Sequence, residues 1–162
     1  MKYPIAPFGL VIVVATAFAL STPPEAQAAE HKECSNDSLQ GSFGFTSTGT
    51  LLALPAPFAG PFAEIGRQVF DGQGNTDGTA TASANGNINH LTFQGTYVVN
   101  PECTGSMTLF VAPIGATVKL DFVIDDDGSE LRAVTTGSTG SGQTGNVESR
   151  EYRKQFNRGH KD

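Results

Sequence analysis

Cysteine, tryptophan and positive charge are all scarce in this chain of 162 residues. Two cysteines are too few for a cysteine-rich zinc site or a dense disulfide scaffold, and there is no tryptophan. Ten lysines and arginines stand against 16 aspartates and glutamates, so the formal net charge is −6. A nucleic-acid-binding protein would need a basic face to neutralise phosphates, and this charge argues against that class. The length fits one domain.

Sequence signatures of common catalytic sites are also missing. There is no G-x-S-x-G elbow, no H-E-x-x-H helix and no phosphate-binding glycine loop. Residues 71–78 resemble a calcium loop, but neither register supplies both the glycine and the bidentate glutamate that such a loop requires. We therefore interpret them as a hairpin loop. Nothing in the sequence calls for a cofactor.

The N-terminal residues have the organisation of an export signal. Lys2 precedes an uncharged, mostly apolar run at residues 5–20, and Ala26-Gln27-Ala28 fits the A-x-A pattern of signal peptidase. The run has 16 residues, fewer than the about 20 that cross a bilayer, which argues against the alternative of a retained membrane anchor. We predict a signal peptide at residues 1–28, and a secreted or periplasmic product with no membrane span after processing.

Export bears on the two cysteines. Cys34 and Cys103 both follow the predicted cleavage site, and an oxidising compartment would let them pair. We predict a disulfide bond between them. The alternative is a pair of free or metal-binding thiols.

The rest of the chain consists of short runs with strand-like alternation, separated by turns rich in glycine, asparagine and aspartate. No window of useful length has helical periodicity. Asn85-Gly86 is a strong hairpin signal, and Gly95 is expected to mark a bend or bulge. The predicted strands are 41–47, 65–70, 78–84, 88–99, 106–112, 116–124, 130–135 and 146–152. This pattern predicts an all-β domain over residues 29–152, a single antiparallel up-and-down barrel of about eight strands, with a β-sandwich as the alternative.

Two segments depart from the pattern. Residues 51–63 are apolar and carry three prolines, so they cannot form a central strand and are expected to plug one end of the barrel or to form an apolar rim there. Residues 153–162 are predicted to be a basic, mobile C-terminal tail lying on an acidic body.

Six motifs taken together resemble a group of small secreted bacterial β proteins. The resemblance covers most of residues 34–152 and implies a secreted β protein with the cysteine pair flanking the sheet, without implying an activity. In architecture alone the chain is similar to allene-oxide-cyclase-like and lipocalin-like barrels, which transfers no catalytic residue. The motifs are Cys34-Ser35-Asn36, residues 41–45, 70–75 and 95–100, Cys103-Thr104-Gly105 and residues 121–124.

These observations favour an exported barrel that binds a small apolar or amphipathic ligand, or that acts as an interaction module. The ligand would enter at a rim formed by residues 51–62 and contact side chains that line the interior. Arg67 shares strand parity with Ile65 and Val69; inside a barrel it would need a carboxylate or an anionic ligand, whereas the strand could instead face the other way and bury Phe70. The predicted ligand-binding residues are Leu54, Phe58, Phe62, Phe43, Phe45, Arg67, Leu120 and Phe122.

Two other functional classes compete with this one. A barrel-type cyclase or isomerase would require an internal polar cluster, either around Arg67 or from a carboxylate pair such as Glu64 with Glu148. A purely structural secreted protein would have an interior filled by its own side chains, as eight-stranded barrels often do.

The predicted new N-terminus is a separate candidate site. Cleavage after Ala28 would expose Ala29-Glu30-His31, whose α-amine, two amide nitrogens and imidazole can surround Cu(II) or Ni(II) in a square plane. The third-position histidine can also arise by chance.

Overall fold

The computed structural model describes residues 33–52, 54, 56–139 and 146–155. Within these residues, eight antiparallel strands follow one another, and the last pairs with the first to close a barrel. The prediction of an eight-stranded antiparallel barrel is confirmed, and the sandwich alternative is wrong. The strands are β1 (Gly41–Leu51), β2 (Gly60–Phe70), β3 (Asn75–Ala84), β4 (Asn87–Val99), β5 (Thr104–Val111), β6 (Ala116–Asp125), β7 (Glu130–Thr139) and β8 (Asn146–Lys154).

Closure depends on the pairing of β1 with β8. Phe45 lies opposite Tyr152, and Leu51 lies opposite Asn146. On its other side β1 pairs with β2, where Phe45 lies opposite Gly66. Every strand therefore has two hydrogen-bonded neighbours. The pairing of β7 with β8 is the shortest and covers residues 130–134 and 149–153.

The end of the barrel where β1 begins is covered by the segment before it, and we call it the disulfide end. Cys34 and Cys103 are bonded there, so the predicted disulfide is confirmed. The 3₁₀ turn Asn36–Leu39 follows, and Leu39 is completely buried. The side chain of Asn36 accepts a hydrogen bond from the backbone N–H of Val99 at 2.9 Å, and its backbone carbonyl accepts one from the hydroxyl of Tyr97 at 3.1 Å. The disulfide bond and the buried side chain of Leu39 together close this end of the barrel.

The half of the interior next to the disulfide end is filled by aromatic rings. Phe70 contacts Phe43, Tyr97 and Tyr152 with ring centroids 5.3, 5.1 and 6.4 Å apart, and Phe45 contacts Tyr152 at 5.2 Å. Edge-to-face pairs at such distances add to the stability that burial itself provides. Leucines, methionine and further phenylalanines complete the same cluster.

Three of the phenylalanines lie directly over a glycine of the neighbouring strand. At Gly66 an added Cβ would lie 2.6 Å from the ring of Phe45 and 2.4 Å from the carbonyl oxygen of Thr79. The same arrangement recurs where Phe93 lies opposite Gly78 and Phe122 lies opposite Gly105. The narrow barrel thus has room for these large rings because a glycine, which has no side chain, lies beneath each one.

The irregularity in the sheet is not at Gly95. The pairing of β4 with both neighbours passes through Gly95 without a register shift, so of the bend or bulge expected there the bulge is not found. A shift occurs instead between Lys119 and Leu120, which pair with Gly137 and Thr135 of β7 and leave Thr136 as the extra residue. Gly95 serves a different need: an added Cβ would lie 2.0 Å from the carbonyl oxygen of Thr108, because the strands approach closely.

We call the opposite end of the barrel the loop end; of the described residues it carries 52, 54 and 56–59, the turn at Asn85-Gly86 and the 3₁₀ turn Ala112–Ile114. Residues 60–63 belong to β2, so the irregular apolar segment is shorter than expected from the sequence. The side-chain amide of Asn85 donates to the carbonyl of Pro57 at 2.9 Å, and that of Asn87 donates to the same carbonyl at 3.4 Å. The apolar loop is therefore tied to the neighbouring hairpin along the rim.

Candidate functional site

A guanidinium and two carboxyl groups are buried together inside the barrel. Arg150 Nε donates to Glu148 Oε1 at 2.8 Å, and Arg150 Nη2 lies 3.2 Å from Glu64 Oε2. Glu148 Oε1 also accepts a hydrogen bond from the hydroxyl of Ser47 at 2.7 Å. Arg150, Glu64 and Glu148 are 6, 7 and 4% exposed, respectively. We call these four residues the lumen cluster.

The register of the strands explains why these four side chains lie close together. Glu148 and Arg150 are two residues apart on β8, so both side chains point to the same face of the sheet. Ser47 on β1 lies opposite Arg150 on one side and opposite Glu64 on the other. The small serine lies between the two longer side chains, which lets them approach each other across β1.

Burial and neighbouring charges shift the pKa of Glu64 and of Arg150. Burial raises the pKa of Glu64, Arg150 opposes that rise, and Glu148 adds to it. Burial alone would lower the pKa of Arg150, but Tyr152, Glu148 and Glu64 outweigh it, so the pKa of Arg150 is raised and the guanidinium stays charged. The raised pKa means that Glu64 takes up a proton more readily than an exposed glutamate does.

Several polar atoms in the same interior have no hydrogen-bond partner among the described residues. Thr135 Oγ1, Ser138 Oγ and Gln68 Oε1 are of this kind. Glu64 Oε2 joins them: it forms the ion pair with Arg150, but the approach lacks hydrogen-bond geometry. Burial raises the pKa of Tyr152, and the charge of Arg150 and a hydrogen bond between the two side chains oppose that rise. Leaving such an atom unsatisfied costs about 1–3 kcal/mol, which a ligand or water could recover.

Small apolar side chains also lie in the loop-end half of the interior. Ala82 is the cross-strand neighbour of Glu64 in the pairing of β2 with β3, and Ala84 follows on the same face. Val111 and Ala116 are paired with each other where β5 and β6 reach the loop end. All four are buried. The loop-end half of the lumen thus combines polar groups from β1, β2, β7 and β8, and the half-buried Asn89 of β4 beside Ala82, with alanine or valine from β3, β5 and β6.

The predicted aromatic and leucine ligand contacts divide between two places. Phe43, Phe45, Leu120 and Phe122 point inward and are buried in the packed core. Leu54 and Phe62 are half-buried at the loop end, and Phe58 is 38% exposed there. The structure therefore brings the second set, and not the first, to a surface that a ligand could reach.

Arg67 does not point into the barrel. It is exposed, and its Nε donates to the hydroxyl of Ser42 at 2.7 Å on the outer face of β1. Glu64, Gln68 and Phe70 are the residues of β2 that are buried. The alternative interpretation, in which this strand buries Phe70, is the one observed, and the interior guanidinium comes from Arg150 instead.

The sequence reasoning did not single out Arg150. The example of Glu64 with Glu148 names two of the charged residues that the structure brings together, but neither their proximity nor their shared partner was predicted. The available signal was the alternation of Glu148, Arg150 and Tyr152, three residues that share one strand face. His90 is exposed, and its Nδ1 lies 3.2 Å from the hydroxyl of Thr81.

The loop that resembled a calcium site is a hairpin turn held by its own side chains. Asp71 Oδ1 accepts hydrogen bonds from the backbone N–H of Gln73 and of Asn75, and Oδ2 accepts one from the side chain of Asn75. The bond from the Asn75 side chain is the largest cause of a lowered pKa of Asp71. Within the described residues, no group of three or more His, Cys, Asp or Glu side chains is placed to hold a metal ion.

Surface grooves lie away from the lumen cluster. One, of about 630 Å³, runs over the outer wall along Ser106, Asp121, Val123, Arg132 and Val134. Another, of about 490 Å³, lies over β2–β4 next to His90. Both are open depressions on the outside of the sheet, and neither is lined by a residue of the lumen cluster.

Three further points of the sequence analysis concern residues outside those described. The signal peptide at residues 1–28 and the site at Ala29, Glu30 and His31 lie there, as does most of the C-terminal tail. Arg153 and Lys154, the first residues of the predicted tail, are the last residues of β8. Among the described residues, no helix has the length and apolar character needed to cross a membrane.

Comparison with known proteins gives similarity in fold. No family model matches the sequence, and no curated protein matches it. Among solved structures, a redesigned beta barrel, mFAP1, bound to DFHBI is 13% identical, with a TM-score of 0.52 over 74% of this chain and 97% of that chain. EF1p2_mFAP2b bound to DFHBI is 12% identical, with a TM-score of 0.53 over 73% of this chain and 94% of that chain. At these identities the similarity concerns the barrel fold alone.

Proposed function

We propose that this protein is an exported β-barrel that binds a small amphipathic ligand in the loop-end half of its lumen. The observation that carries the proposal is the lumen cluster: Arg150, Glu64 and Glu148 are buried beside polar atoms that no described residue satisfies. A barrel kept only for stability gains little from such a cluster, because apolar side chains of similar volume stabilise an interior at least as well.

The shape and chemistry of the lumen support the same proposal. Ala82, Ala84 and Ala116 occupy less side-chain volume beside the cluster than leucine or phenylalanine would. Ligand sites combine mostly apolar side chains with a few polar groups that fix orientation, and the residues of this half have both kinds of side chain. The two designed barrels with this fold were both bound to DFHBI, so the architecture is compatible with a small molecule.

The rim supplies an apolar entrance in this proposal. Leu54, Phe58 and Phe62 lie at the loop end, and the loop that carries Leu54 and Phe58 is held by Asn85 and Asn87. A ligand would pass these side chains before its polar group reaches Glu64 and Arg150.

Binding of a neutral apolar dye, N-phenyl-1-naphthylamine, tests the proposal. We expect the dye to gain fluorescence with the wild-type protein and to lose affinity in Leu54→Ser and Phe58→Ser, with little change in melting temperature. Phe110→Ser is the matched control, since Phe110 is 44% exposed against 38% for Phe58 but lies on the outer wall. Absence of dye binding by the wild type, or equal losses in Phe58→Ser and Phe110→Ser, would contradict the proposal. A fall of about 1–3 kcal/mol in the free energy of unfolding of the Leu54 and Phe58 variants would instead identify the loop as a plug.

Export is part of the proposal and has its own test. The confirmed disulfide bond suits an oxidising compartment. N-terminal sequencing of the protein recovered from outside the cytoplasm should begin at Ala29. A chain that begins at Met1 and stays with the membrane fraction would support the retained anchor.

A barrel-type isomerase is the second candidate, and the pair of carboxyl groups on Arg150 favours it. A protonated Glu64 beside a guanidinium could give a proton to a bound substrate, and Glu148 could accept one. A ligand recovered from the protein after incubation in D₂O would then carry deuterium, and Glu64→Gln would abolish the exchange. Recovery of the ligand without deuterium would contradict the isomerase and would leave ligand binding as the proposed function.

A further inference from the structure

The charged groups of the loop-end lumen are acidic in sum. Glu64 comes from β2, and Glu148 and Arg150 come from β8, so two carboxyl groups face one guanidinium. The other described residues that line this half are uncharged: Ser47 and Leu51 of β1, Ala82 and Ala84 of β3, Asn89 and Leu91 of β4, Val111 of β5, Ala116 of β6, and Thr135 and Ser138 of β7. With all three groups ionised the lumen carries one net negative charge.

Arg150 is already paired with two carboxyl groups. Its Nε is bonded to Glu148 at 2.8 Å, its Nη2 lies 3.2 Å from Glu64, and its guanidinium carbon lies 5.4 Å from the centre of the Phe45 ring. A ligand carboxylate would have to compete with these two carboxyl groups for one guanidinium and would add a third negative charge to the same interior, which is costly. The charge balance therefore disfavours an anionic headgroup.

Oxygen acceptors remain available in the same lumen. Glu64 Oε2 accepts no hydrogen bond from a described residue, and its side chain is more than nine-tenths buried; Thr135 Oγ1 and Ser138 Oγ are likewise without a hydrogen bond. Tyr152 borders the cluster, since its phenol interacts electrostatically with Arg150, Glu64 and Glu148. A primary ammonium group is compact and offers three N–H donors, so it matches these acceptors and the excess negative charge.

We propose that the loop-end lumen selects amphipathic molecules with a primary ammonium headgroup over those with a carboxylate, and that Glu64 is the residue that receives the headgroup. This inference rests on the proposed function, because it specifies the ligand class of the same site. The apolar tail lies along Ala82, Ala84 and Val111, and the headgroup lies at Glu64.

Three ligands with the same eight-carbon chain test the selectivity: n-octylammonium, octanol and octanoate, titrated by calorimetry into the purified protein. We expect n-octylammonium to bind at least about tenfold more tightly than octanoate, with octanol between them, since a buried charge is tolerated only with an opposite partner. Octanoate binding as tightly as n-octylammonium, or more tightly, would overturn the inference. Because the wild-type ranking needs no variant, the test stands even where a substitution prevents folding.

Glu64→Gln then assigns the headgroup to one residue. It should remove most of the preference for n-octylammonium and leave octanol affinity within about threefold, because only the charge changes. Glu102→Gln makes the same chemical change on the exposed turn at the disulfide end and should change neither affinity. An unchanged ammonium preference in a folded Glu64→Gln protein would overturn the assignment.

Failure of this inference can be told apart from failure of the proposed function. If N-phenyl-1-naphthylamine binds and octanoate is preferred, the barrel is a binding protein with a different selectivity. If neither the dye nor any of the three eight-carbon ligands binds, both proposals are wrong.

Discussion

Arg150 and Glu148, two residues apart on β8, form a 2.8 Å hydrogen-bonded ion pair inside a closed barrel. Neighbouring inward positions on one strand rarely carry opposite charges in a packed core, because each charge must be taken out of water. Here the third inward residue, Tyr152, borders the same group. β8 therefore carries a polar stripe that faces the lumen and that the neighbouring strands complete with Ser47 and Glu64.

The ion cluster should be sensitive to loss of its single cation. Arg150→Met would leave Glu64 and Glu148 buried without a counter-charge, and we expect the free energy of unfolding to fall by about 3–5 kcal/mol. Urea denaturation measures this change. The control is Arg153→Met. Arg153 is exposed, and its Nε lies 3.5 Å from Glu130 Oε1 at the surface, so the loss of this ion pair should change the free energy of unfolding by less than about 0.5 kcal/mol. Equal losses in the two variants would show that the cluster is not held together by charge.

Glu64 should also make stability depend on pH in a defined direction. Its pKa is raised above the ordinary value of 4.5 by burial, so between 4.5 and its folded pKa the folded state binds more protons than the unfolded state. The contribution of Glu64 is therefore fully present below pH 4.5 and is lost as the pH rises through the folded pKa.

Comparison of the wild type with Glu64→Gln isolates this contribution. Glutamine cannot titrate, so the stability of the wild type relative to the variant should decrease from pH 4.5 upward, as followed by urea denaturation at each pH. Asp71 and Asp125, whose pKa values are lowered, add stability with rising pH below their ordinary value of 3.8, and they do so equally in both proteins. Parallel stability curves for the two proteins would contradict the raised pKa.

The architecture was predictable because its signals are local. Strand alternation, Asn85-Gly86 and the glycine-rich loop at residues 71–78 each specify a strand or a turn from a few neighbouring residues. All eight strands are found; five have bounds within three residues of the prediction, whereas β1, β2 and β7 are four or five residues longer than predicted. Because each strand is joined to the next by a hairpin, β1 and β8 remain at the two edges and pair with each other to close the barrel.

The direction in which β2 faces was not predictable, and the site depends on it. Ile65, Arg67 and Val69 share one face, while Glu64, Gln68 and Phe70 share the other, so both faces of β2 carry apolar and polar residues. Alternation alone therefore gives no preference. The choice is made by partners far along the chain: the ring of Phe45 covers Gly66, and Arg150 receives Glu64.

The arrangement of phenylalanine over glycine should be essential to packing. Gly66→Ala would place a methyl group against the Phe45 ring and the carbonyl oxygen of Thr79, and we expect a loss of about 1–3 kcal/mol from overpacking. Thermal denaturation reports the change. Gly137→Ala is the matched control, because the nearest atoms to its added Cβ lie 3.9 Å away on Lys119. A Gly66→Ala protein as stable as the control would show that the ring moves aside freely.

The predicted N-terminus makes a separate prediction that does not depend on the barrel. A chain that begins Ala29-Glu30-His31 should bind Cu(II) through the α-amine, two deprotonated amides and the imidazole, with release of the amide protons. Copper titration of the exported protein should therefore give a visible d–d band that saturates at one equivalent. His31→Ala should abolish that band, whereas His160→Ala, which removes a histidine near the other terminus, should leave it unchanged. If N-terminal sequencing finds cleavage one residue later, the four-nitrogen arrangement cannot form, and an identical band in His31→Ala would place copper elsewhere.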